Sequence, residues 1–197
     1  MIFKNAIVLT GGIATGKSSV ASLFMEDGFA LIDADKVAHE MLDLHQEKIA
    51  DLFGIEYIEE GSINRKKLGT LIFSNKEEKK RLEGLLHPLI YQEIEAEALE
   101  LDKKNLPYII DIPLFFESKG RYPIEKSIVV YTAKEKQLKR LMFRDKSSKK
   151  EAQARIDSQL NIEEKKQYAT YIIDNSKDMK HLQHEYARVR EQILSNF

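Results

Sequence analysis

Short apolar runs alternate with longer polar stretches along this chain. The apolar runs cover residues 6–10, 29–32, 108–110, 127–131 and 171–173, and an aspartate follows the second, the third and the fifth. Each run is continuous, which is typical of strands that helices cover on both faces. The stretches between the runs leave room for crossover helices. The pattern predicts an α/β fold with a five-stranded parallel sheet and helices on both faces.

Three further segments carry helical patterns. Residues 36–105 contain no convincing strand, and their leucines and isoleucines recur at helical spacing, so we predict a helical insertion there. Residues 133–168 predict a charged helical hairpin. Near the end of the chain, apolar side chains at 4-3-4 spacing predict an amphipathic closing helix. These are Leu182, Tyr186, Val189 and Ile193.

Composition narrows the class of protein. The chain has 197 residues, within the single-domain range, and 43% of them are hydrophobic, which argues against disorder. Lys and Arg number 31 against 32 Asp and Glu, so no overall basic charge points to a nucleic-acid partner. Cysteine is absent, which excludes disulfides and thiol catalysis. No apolar run approaches the roughly 18 residues of a membrane span. We expect a cytoplasmic protein, a monomer or weak homo-oligomer.

One region departs from this charge balance. Residues 134–157 hold nine Lys and Arg against four Asp and Glu, a local excess of positive charge in an otherwise acidic chain. Such asymmetry indicates an anionic ligand.

The sharpest motif lies between the first apolar run and the helix predicted after it. It reads Gly11-Gly12-Ile13-Ala14-Thr15-Gly16-Lys17-Ser18 and matches the phosphate-loop pattern G-x-x-x-x-G-K-[ST] at every fixed position. Gly11 and Gly16 permit backbone conformations that let successive N–H groups turn towards a phosphate. Lys17 supplies charge to the β- and γ-phosphates, and the Ser18 hydroxyl is a ligand for Mg²⁺. The motif predicts a site for nucleoside triphosphate and Mg²⁺.

Aspartates at strand ends are candidates for contact with a hydroxyl group that would accept a phosphoryl group from the nucleotide. Asp33 and Asp35 follow the second apolar run directly, at the end of a strand where open parallel sheets bind their ligands. We expect Asp33 to act as a base or to orient the acceptor hydroxyl, and Asp35 either to share that role or to cap the next helix. Asp111, which ends the third run, resembles a weak Walker B aspartate near the metal's water shell.

From the residues, several classes of protein remain open. One is a kinase for a small hydroxyl acceptor, such as a nucleoside monophosphate or shikimate. Another is a nucleotide switch or binding protein that uses the loop without a small acceptor, although the long insertion disfavours it. Nucleic-acid binding by the basic hairpin is a third, disfavoured by net neutrality and by the lack of interleaved aromatic residues.

Six motifs in order resemble the dephospho-CoA kinase family of the P-loop nucleoside and nucleotide kinase group. They are Leu9 to Ser18, Ile32-Asp33-Ala34-Asp35, Leu85-Leu86-His87-Pro88-Leu89-Ile90, Asp111-Ile112-Pro113-Leu114-Phe115-Phe116-Glu117, Gln137 to Asp145 and Ile173-Asp174-Asn175. They span nearly the whole chain. Two departures stand out: Ala14 where the family usually has Gly, which leaves phosphate binding intact, and Phe115-Phe116 where we expect at least one Leu.

The resemblance implies transfer of the γ-phosphoryl of ATP, with Mg²⁺, to the ribose 3′-hydroxyl of dephospho-CoA, the last step of CoA biosynthesis. It implies a nucleotide-binding core of residues 1–35, 106–132 and 169–197, a CoA-binding domain at 36–105 and a lid at 133–168. Gly11 to Ser19 would hold the ATP phosphates, with Ser18 on the metal. Further nucleotide contacts would come from Arg140, Arg144 and Asn175, with Arg155 as a weaker candidate. The catalytic residues would be Asp33, Lys17 and Arg140, and the acceptor would meet Asp33, Arg65, His87, Pro88 and Phe115.

Overall fold

A computed structural model describes residues 3–118 and 122–197 of the chain. The chain divides into two compact units: a core unit of Met1–Ile32 with Ala98–Phe197, and an insert unit of Asp33–Glu97. In the described residues the strands are β1 (Ala6–Gly11), β2 (Leu31–Asp33), β3 (Ile58–Glu59), β4 (Ser62–Ile63), β5 (Tyr108–Asp111), β6 (Ser127–Tyr131) and β7 (Tyr171–Asp174).

Nine α-helices occur in the same described ranges. They are α1 (Lys17–Glu26), α2 (Ala34–Leu44), α3 (Gln46–Phe53), α4 (Arg65–Ser74), α5 (Lys76–Asp102), α6 (Lys134–Asp145), α7 (Lys149–Asp157), α8 (Ile162–Tyr168) and α9 (Met179–Ser195). Single 3₁₀ turns cover Ile55–Tyr57 and Phe116–Ser118. Within these ranges no helix combines the length and the apolar character that a bilayer crossing needs.

The five-stranded parallel sheet is confirmed, with strand order β2-β5-β1-β6-β7. The central strand β1 pairs in parallel with β5 and β6, and Leu9 lies opposite both Asp111 and Ile128. All six residues of β1 are buried, as the continuous apolar run predicts. The register brings the carboxyl end of β1, where the phosphate loop begins, beside the carboxyl end of β5.

Helices α1 and α9 pack against the sheet in one apolar cluster. Phe24 of α1 meets Phe29 and Tyr186 edge-on, at ring-centroid distances of 5.1 and 4.8 Å. The Tyr186 hydroxyl donates to the Asp27 carboxylate at 2.8 Å, so the polar end of this buried ring is satisfied. All four residues of the predicted 4-3-4 stripe are buried, which confirms the closing helix.

The insert unit corrects the prediction that residues 36–105 hold no strand. Strands β3 and β4 form an antiparallel hairpin in which Ile58 lies opposite Ile63. Each strand has two residues, too few for a periodic pattern to register. The turn between them places Glu60 and Gly61 at φ 50° and 74°, the left-handed region that a two-residue hairpin turn requires.

The charged segment 133–168 holds three helices, α6, α7 and α8, where the sequence predicted a two-helix hairpin. A capping box at Ser148 and Glu151 starts α7, and the Asn161 side chain caps α8 by accepting from Glu163 N. Leu141, Ala152 and Ile156 form the small apolar cluster that joins α6 to α7. The break before α8 matters for the site, because it turns the chain back towards the phosphate loop.

Candidate active site

The phosphate loop joins the end of β1 to the start of α1. Gly16 has φ 90°, which glycine adopts without strain, and Ala14 has φ 60°, a conformation that costs an L-residue about 1 kcal/mol or more. Gly11 has no positive φ, contrary to the conformational role predicted for it. Glycine is required there by space, because a Cβ would lie 2.9 Å from Val130 O.

Lys17 begins α1, and its ammonium group forms an ion pair with the Asp111 carboxylate at the end of β5. The contact is bidentate, with 2.5 Å between Nζ and Oδ2. Both side chains are largely buried, with exposed fractions of 20% for Lys17 and 9% for Asp111. The aspartate therefore balances the lysine charge at a point where an incoming phosphate competes for it.

Three side chains contact the carbonyl of Thr15, in the second half of the phosphate loop. Asn175 Nδ2 donates to it at 2.8 Å and Arg140 Nη1 at 3.5 Å. Thr132 Oγ1 lies 3.4 Å away, and the nearer acceptor of its single proton is Asn175 O at 3.0 Å. Arg140 also donates through Nη2 to Asn175 O at 2.9 Å. Two residues assigned to the nucleotide by the resemblance, Arg140 and Asn175, thus contact the backbone of the loop.

Arg144 and Arg155 both bind Asp145 at the end of α6. Arg144 donates from Nε and Nη2 at 2.7 and 3.2 Å, and Arg155 donates from Nη1. The hydrogen bond from Arg144, then that from Arg155, lowers the pKa of Asp145 to about 2. All three side chains lie in solvent-accessible positions, so the two arginines are held together on the surface of the charged segment.

Sequence reasoning missed Thr132, whose contact is given above, and two further side chains that reach the phosphate loop. Lys165 of α8 is fully buried, and its Nζ donates to Gly11 O at 3.0 Å. Gln159, between α7 and α8, accepts from Ile13 N through Oε1 at 2.8 Å. Burial lowers the pKa of Lys165, and the Glu117 carboxylate 2.8 Å away opposes that shift. The run Glu163-Glu164-Lys165-Lys166 carries no sign of this burial, because lysines beside glutamates are typical of a solvated face.

A cavity of about 170 Å³ lies beside the loop in the core unit. Gly12 and Gln137 line one part of it, and Gln159 and Leu160 line another. A Cβ on Gly12 would lie 2.8 Å from Gln137 Oε1, so glycine at this position keeps the wall of the cavity close-packed. Phe115 lies elsewhere in the core unit, stacked edge-on against Phe116 at 5.2 Å.

Within the insert unit, Asp33 and Arg65 occupy helix termini. Asp33 is the N-cap of α2, and its Oδ1 accepts from Asp35 N and Lys36 N at 2.9 and 3.0 Å. Capping of α2 was one of the two roles predicted for Asp35, and in the structure Asp33 makes this cap instead. Among the described residues, Asp33 Oδ2 accepts no hydrogen bond. Arg65 starts α4 and donates to Asp43 Oδ2 at 2.5 Å, and both side chains are about half exposed.

His87 and Pro88 lie inside α5. The imidazole is partly buried and Pro88 is exposed. Proline has no N–H to complete the helical ladder, so it leaves a backbone carbonyl one turn earlier without its usual partner. This is the sole proline inside a helix of the described chain.

An open parallel sheet with a phosphate loop at the end of its central strand defines a P-loop protein that binds a nucleoside triphosphate, and the structural neighbours of this fold include P-loop kinases. A shikimate kinase from Acinetobacter baumannii shares this fold at a TM-score of 0.52 and 18% identity, covering 98% of this chain and 94% of that one. The family model described as dephospho-CoA kinase matches residues 5–181. The chain belongs to the dephospho-CoA kinase family, ATP-dependent kinases that phosphorylate a hydroxyl of dephospho-CoA.

Individual relatives agree with the family match. A dephospho-CoA kinase from Sulfurimonas denitrificans is 51% identical over 197 residues, covering 100% of this chain and 98% of that protein. One from Helicobacter pylori is 43% identical over 196 residues, covering 98% of this chain and 100% of that protein. The solved structure of dephospho-CoA kinase from Campylobacter jejuni has a TM-score of 0.78 at 42% identity, covering 98% of this chain and 99% of that one.

Proposed function

We propose that this chain transfers the γ-phosphoryl group of ATP to the ribose 3′-hydroxyl of dephospho-CoA, giving CoA and ADP as the last step of CoA biosynthesis. The observation that carries the proposal is the phosphate loop, with Lys17 paired to Asp111, in a chain whose family model covers residues 5–181. ATP is the phosphoryl donor that the family implies.

Nucleotide binding is proposed to replace the Asp111 carboxylate by phosphate oxygens as the partner of the Lys17 ammonium group. We propose that its ammonium group turns from Asp111 to the β- and γ-phosphate oxygens, while N–H groups of the loop face the same phosphates. The α1 helix begins at Lys17, so its positive dipole end adds to this field. These contacts stabilise negative charge in the transition state and hold the γ-phosphoryl in line with its acceptor.

The donor groups near the loop suit Mg²⁺, which prefers oxygen ligands and keeps several waters. Ser18 is exposed, and its hydroxyl makes no hydrogen bond within the described chain. Asp111 supplies a nearby carboxylate for the water shell. In the described residues no cluster of three His, Cys, Asp or Glu forms a cage for a metal, which agrees with a metal bound largely by nucleotide and water. When bound, Mg²⁺ neutralises charge on the β- and γ-phosphates.

We propose that Asp33 orients the 3′-hydroxyl and takes its proton as that oxygen attacks the γ-phosphorus and the bond to the ADP oxygen breaks. Its Oδ1 caps α2 and its Oδ2 has no hydrogen bond in the described residues, so one oxygen positions the carboxylate and the other is available. Acceptor contacts are proposed for Arg65, His87, Pro88 and Phe115.

The charged segment is proposed as a lid over the nucleotide. Water must be excluded from the reacting phosphoryl, or ATP is hydrolysed. The excess positive charge of residues 134–157 supports this role, and Arg140 ties α6 to the phosphate loop through Thr15 O. Arg144 and Arg155, held by Asp145, provide bidentate donors for phosphate oxygens. We further propose residues 36–105 as the acceptor-binding domain.

The test is release of ADP from Mg-ATP with and without dephospho-CoA, with the product identified by mass. We expect release that depends on dephospho-CoA and a product heavier by one phosphoryl group on the 3′-oxygen. Shikimate and a nucleoside monophosphate serve as competing acceptors. Lys17→Ala is the control, because it removes the phosphate contact and should abolish release. Equal release without any acceptor, or faster release with a competing acceptor, would contradict the proposal.

A further inference from the structure

Lys165 is a buried charge that the proposed mechanism does not use. Its exposed fraction is 0%, whereas most lysines of soluble proteins keep the ammonium group in water. A protonated lysine has three N–H donors, and here three acceptors surround Nζ. They are Gly11 O at 3.0 Å, Pro113 O at 3.4 Å and Glu117 Oε1 at 2.8 Å. The charge is thus fully compensated, and its cost in desolvation is met by these specific partners.

The three acceptors belong to the two chain segments that hold the ion pair of the site. Gly11 opens the phosphate loop, which ends at Lys17 and Ser18. Pro113 and Glu117 belong to the segment that follows Asp111. Lys165 therefore joins the two segments that carry the Lys17–Asp111 pair. Thr10 adds a second tie between them, because its hydroxyl donates to Pro113 O at 3.0 Å.

Glu117 extends the same network to the chain before α8. Its Oε1 also accepts from Leu160 N at 3.0 Å, next to the Gln159 side chain that binds Ile13 N. Two peptides of the phosphate loop, at Gly11 and Ile13, are consequently fixed by residues 159–165. Neither contact comes from the strand or the helix that flanks the loop.

The geometry of the peptide bond gives this network a consequence for phosphate binding. In a trans peptide the carbonyl of one residue and the N–H of the next point in opposite directions, and no cis peptide occurs in the described chain. Holding Gly11 O outwards therefore directs Gly12 N–H towards the other side of the loop. Asn175 does the same for the Thr15 carbonyl and the Gly16 N–H. A cation on the carbonyl also polarises the peptide and strengthens its N–H as a donor.

We propose that Lys165 is a positioning residue for phosphoryl transfer, which fixes the first peptide of the phosphate loop through Gly11 O and keeps the segment after Asp111 aligned with it through Pro113 O and Glu117. Only the turnover measurement for this inference depends on the proposed function, because it uses dephospho-CoA as the acceptor. Its binding measurement uses ADP and needs no acceptor, so the two can fail separately.

The test compares three variants of the full-length chain. Lys165→Met alone would leave Glu117 as a partly buried carboxylate without its partner. The paired variant Lys165→Met/Glu117→Gln therefore removes both charges and keeps an acceptor for Leu160 N. Lys165→Arg retains the charge but cannot direct three donors from one nitrogen. Lys166→Met is the matched control, because Lys166 is the exposed neighbour and contacts the Tyr131 ring.

We expect the paired variant to bind ADP about 10- to 100-fold more weakly by calorimetry, the range for losing a hydrogen bond to a charged group. The ratio kcat/KM for ATP should fall by a similar factor, while KM for dephospho-CoA changes less than about threefold. A purely structural role would instead lower the active fraction and leave the affinity of folded molecules unchanged. Lys166→Met should match the wild type in every measurement.

Wild-type ADP affinity in a folded paired variant would overturn the proposal. If the paired variant shows no cooperative thermal transition, the ADP affinity of Lys165→Arg tests the proposal instead, because this variant keeps the buried charge and the partner of Glu117. We expect Lys165→Arg to bind ADP at least about fivefold more weakly than wild type. Wild-type affinity there would assign Lys165 to stability alone and overturn the proposal equally.

Discussion

The phosphate loop and the insert unit hold their candidate functional side chains in different ways. In the loop, the backbone is contacted from outside by buried or half-buried groups, with Lys165 on Gly11 O and Asn175 and Arg140 on Thr15 O. In the insert unit, Asp33 and Arg65 stand at helix N-termini, and Arg65 pairs with an exposed aspartate. Function and stability are therefore coupled in the loop and separable in the insert unit.

This difference follows from what each region must bind. A phosphate is recognised by backbone N–H groups, so the peptide planes must be rigid and their carbonyls need partners. A hydroxyl acceptor is recognised by side chains that helices can present singly. The insert unit accordingly exposes large apolar groups such as Phe73 and Ile55, with exposed fractions of 96% and 73%, and its charged pairs lie on the surface. Surface pairs of this kind contribute about 0–1 kcal/mol each.

The largest expected effect is at Asp33, where a substitution should change catalysis without changing stability. Asp33→Asn should lower kcat by about 10² to 10⁴, the usual contribution of a general base or orienting carboxylate. Stability should change little, because asparagine caps a helix as well as aspartate does. Steady-state rates with dephospho-CoA and thermal unfolding measure the two effects. Asp35→Asn is the matched control: it is exposed in the first turn of α2 and should retain kcat within about threefold. Turnover of Asp33→Asn within a few-fold of wild type would remove Asp33 from the chemistry.

The next predictions test whether function and stability are coupled in the phosphate loop. They concern Gly16 and Ala14, two residues of the loop with positive φ. Gly16→Ala would force an alanine to φ 90° and drive its Cβ into Asn175 Nδ2, which holds Thr15 O. We expect ADP affinity to fall about 100-fold and the free energy of unfolding to fall by about 2 kcal/mol or more. Calorimetry and denaturant unfolding report these changes separately. If Gly16→Ala lowered ADP affinity and left the free energy of unfolding unchanged, function and stability would not be coupled in the loop.

Ala14→Gly is the matched substitution in the same loop. Glycine relieves a left-handed alanine, about 1–2 kcal/mol, but it adds freedom to the unfolded chain and removes a methyl group packed against the cluster of Leu141 and Ile156. These terms nearly cancel, so stability should change by less than about 1 kcal/mol and ADP affinity by less than about threefold. A tenfold change in affinity would show that the methyl group itself shapes the loop.

The two regions also differ in how far the sequence predicts them. The strands and the loop follow from local patterns, because a continuous apolar run and fixed glycine spacing report directly on covered strands and on a phosphate nest. The β3–β4 hairpin was missed since each strand has two residues and its turn is Glu60-Gly61 rather than Asn-Gly. Predicting Lys165 requires knowledge that α8 packs behind Gly11, and a contact across 154 positions leaves no local signal.

A moderate effect, confined to acceptor binding, is expected for Arg65 in the insert unit. Arg65→Gln removes a cation proposed to meet the acceptor and breaks the half-exposed pair with Asp43. Stability should fall by less than about 1 kcal/mol, as for other surface pairs. KM for dephospho-CoA should rise about fivefold to tenfold while KM for ATP and kcat stay within about twofold, because one lost charge-assisted contact acts on acceptor binding. Asp43→Asn breaks the same pair but keeps the arginine, so its KM for dephospho-CoA should stay at or below the wild-type value. Equal increases in KM for both variants would show that the pair is needed to position α4, and Arg65 would then lose its assignment to the acceptor.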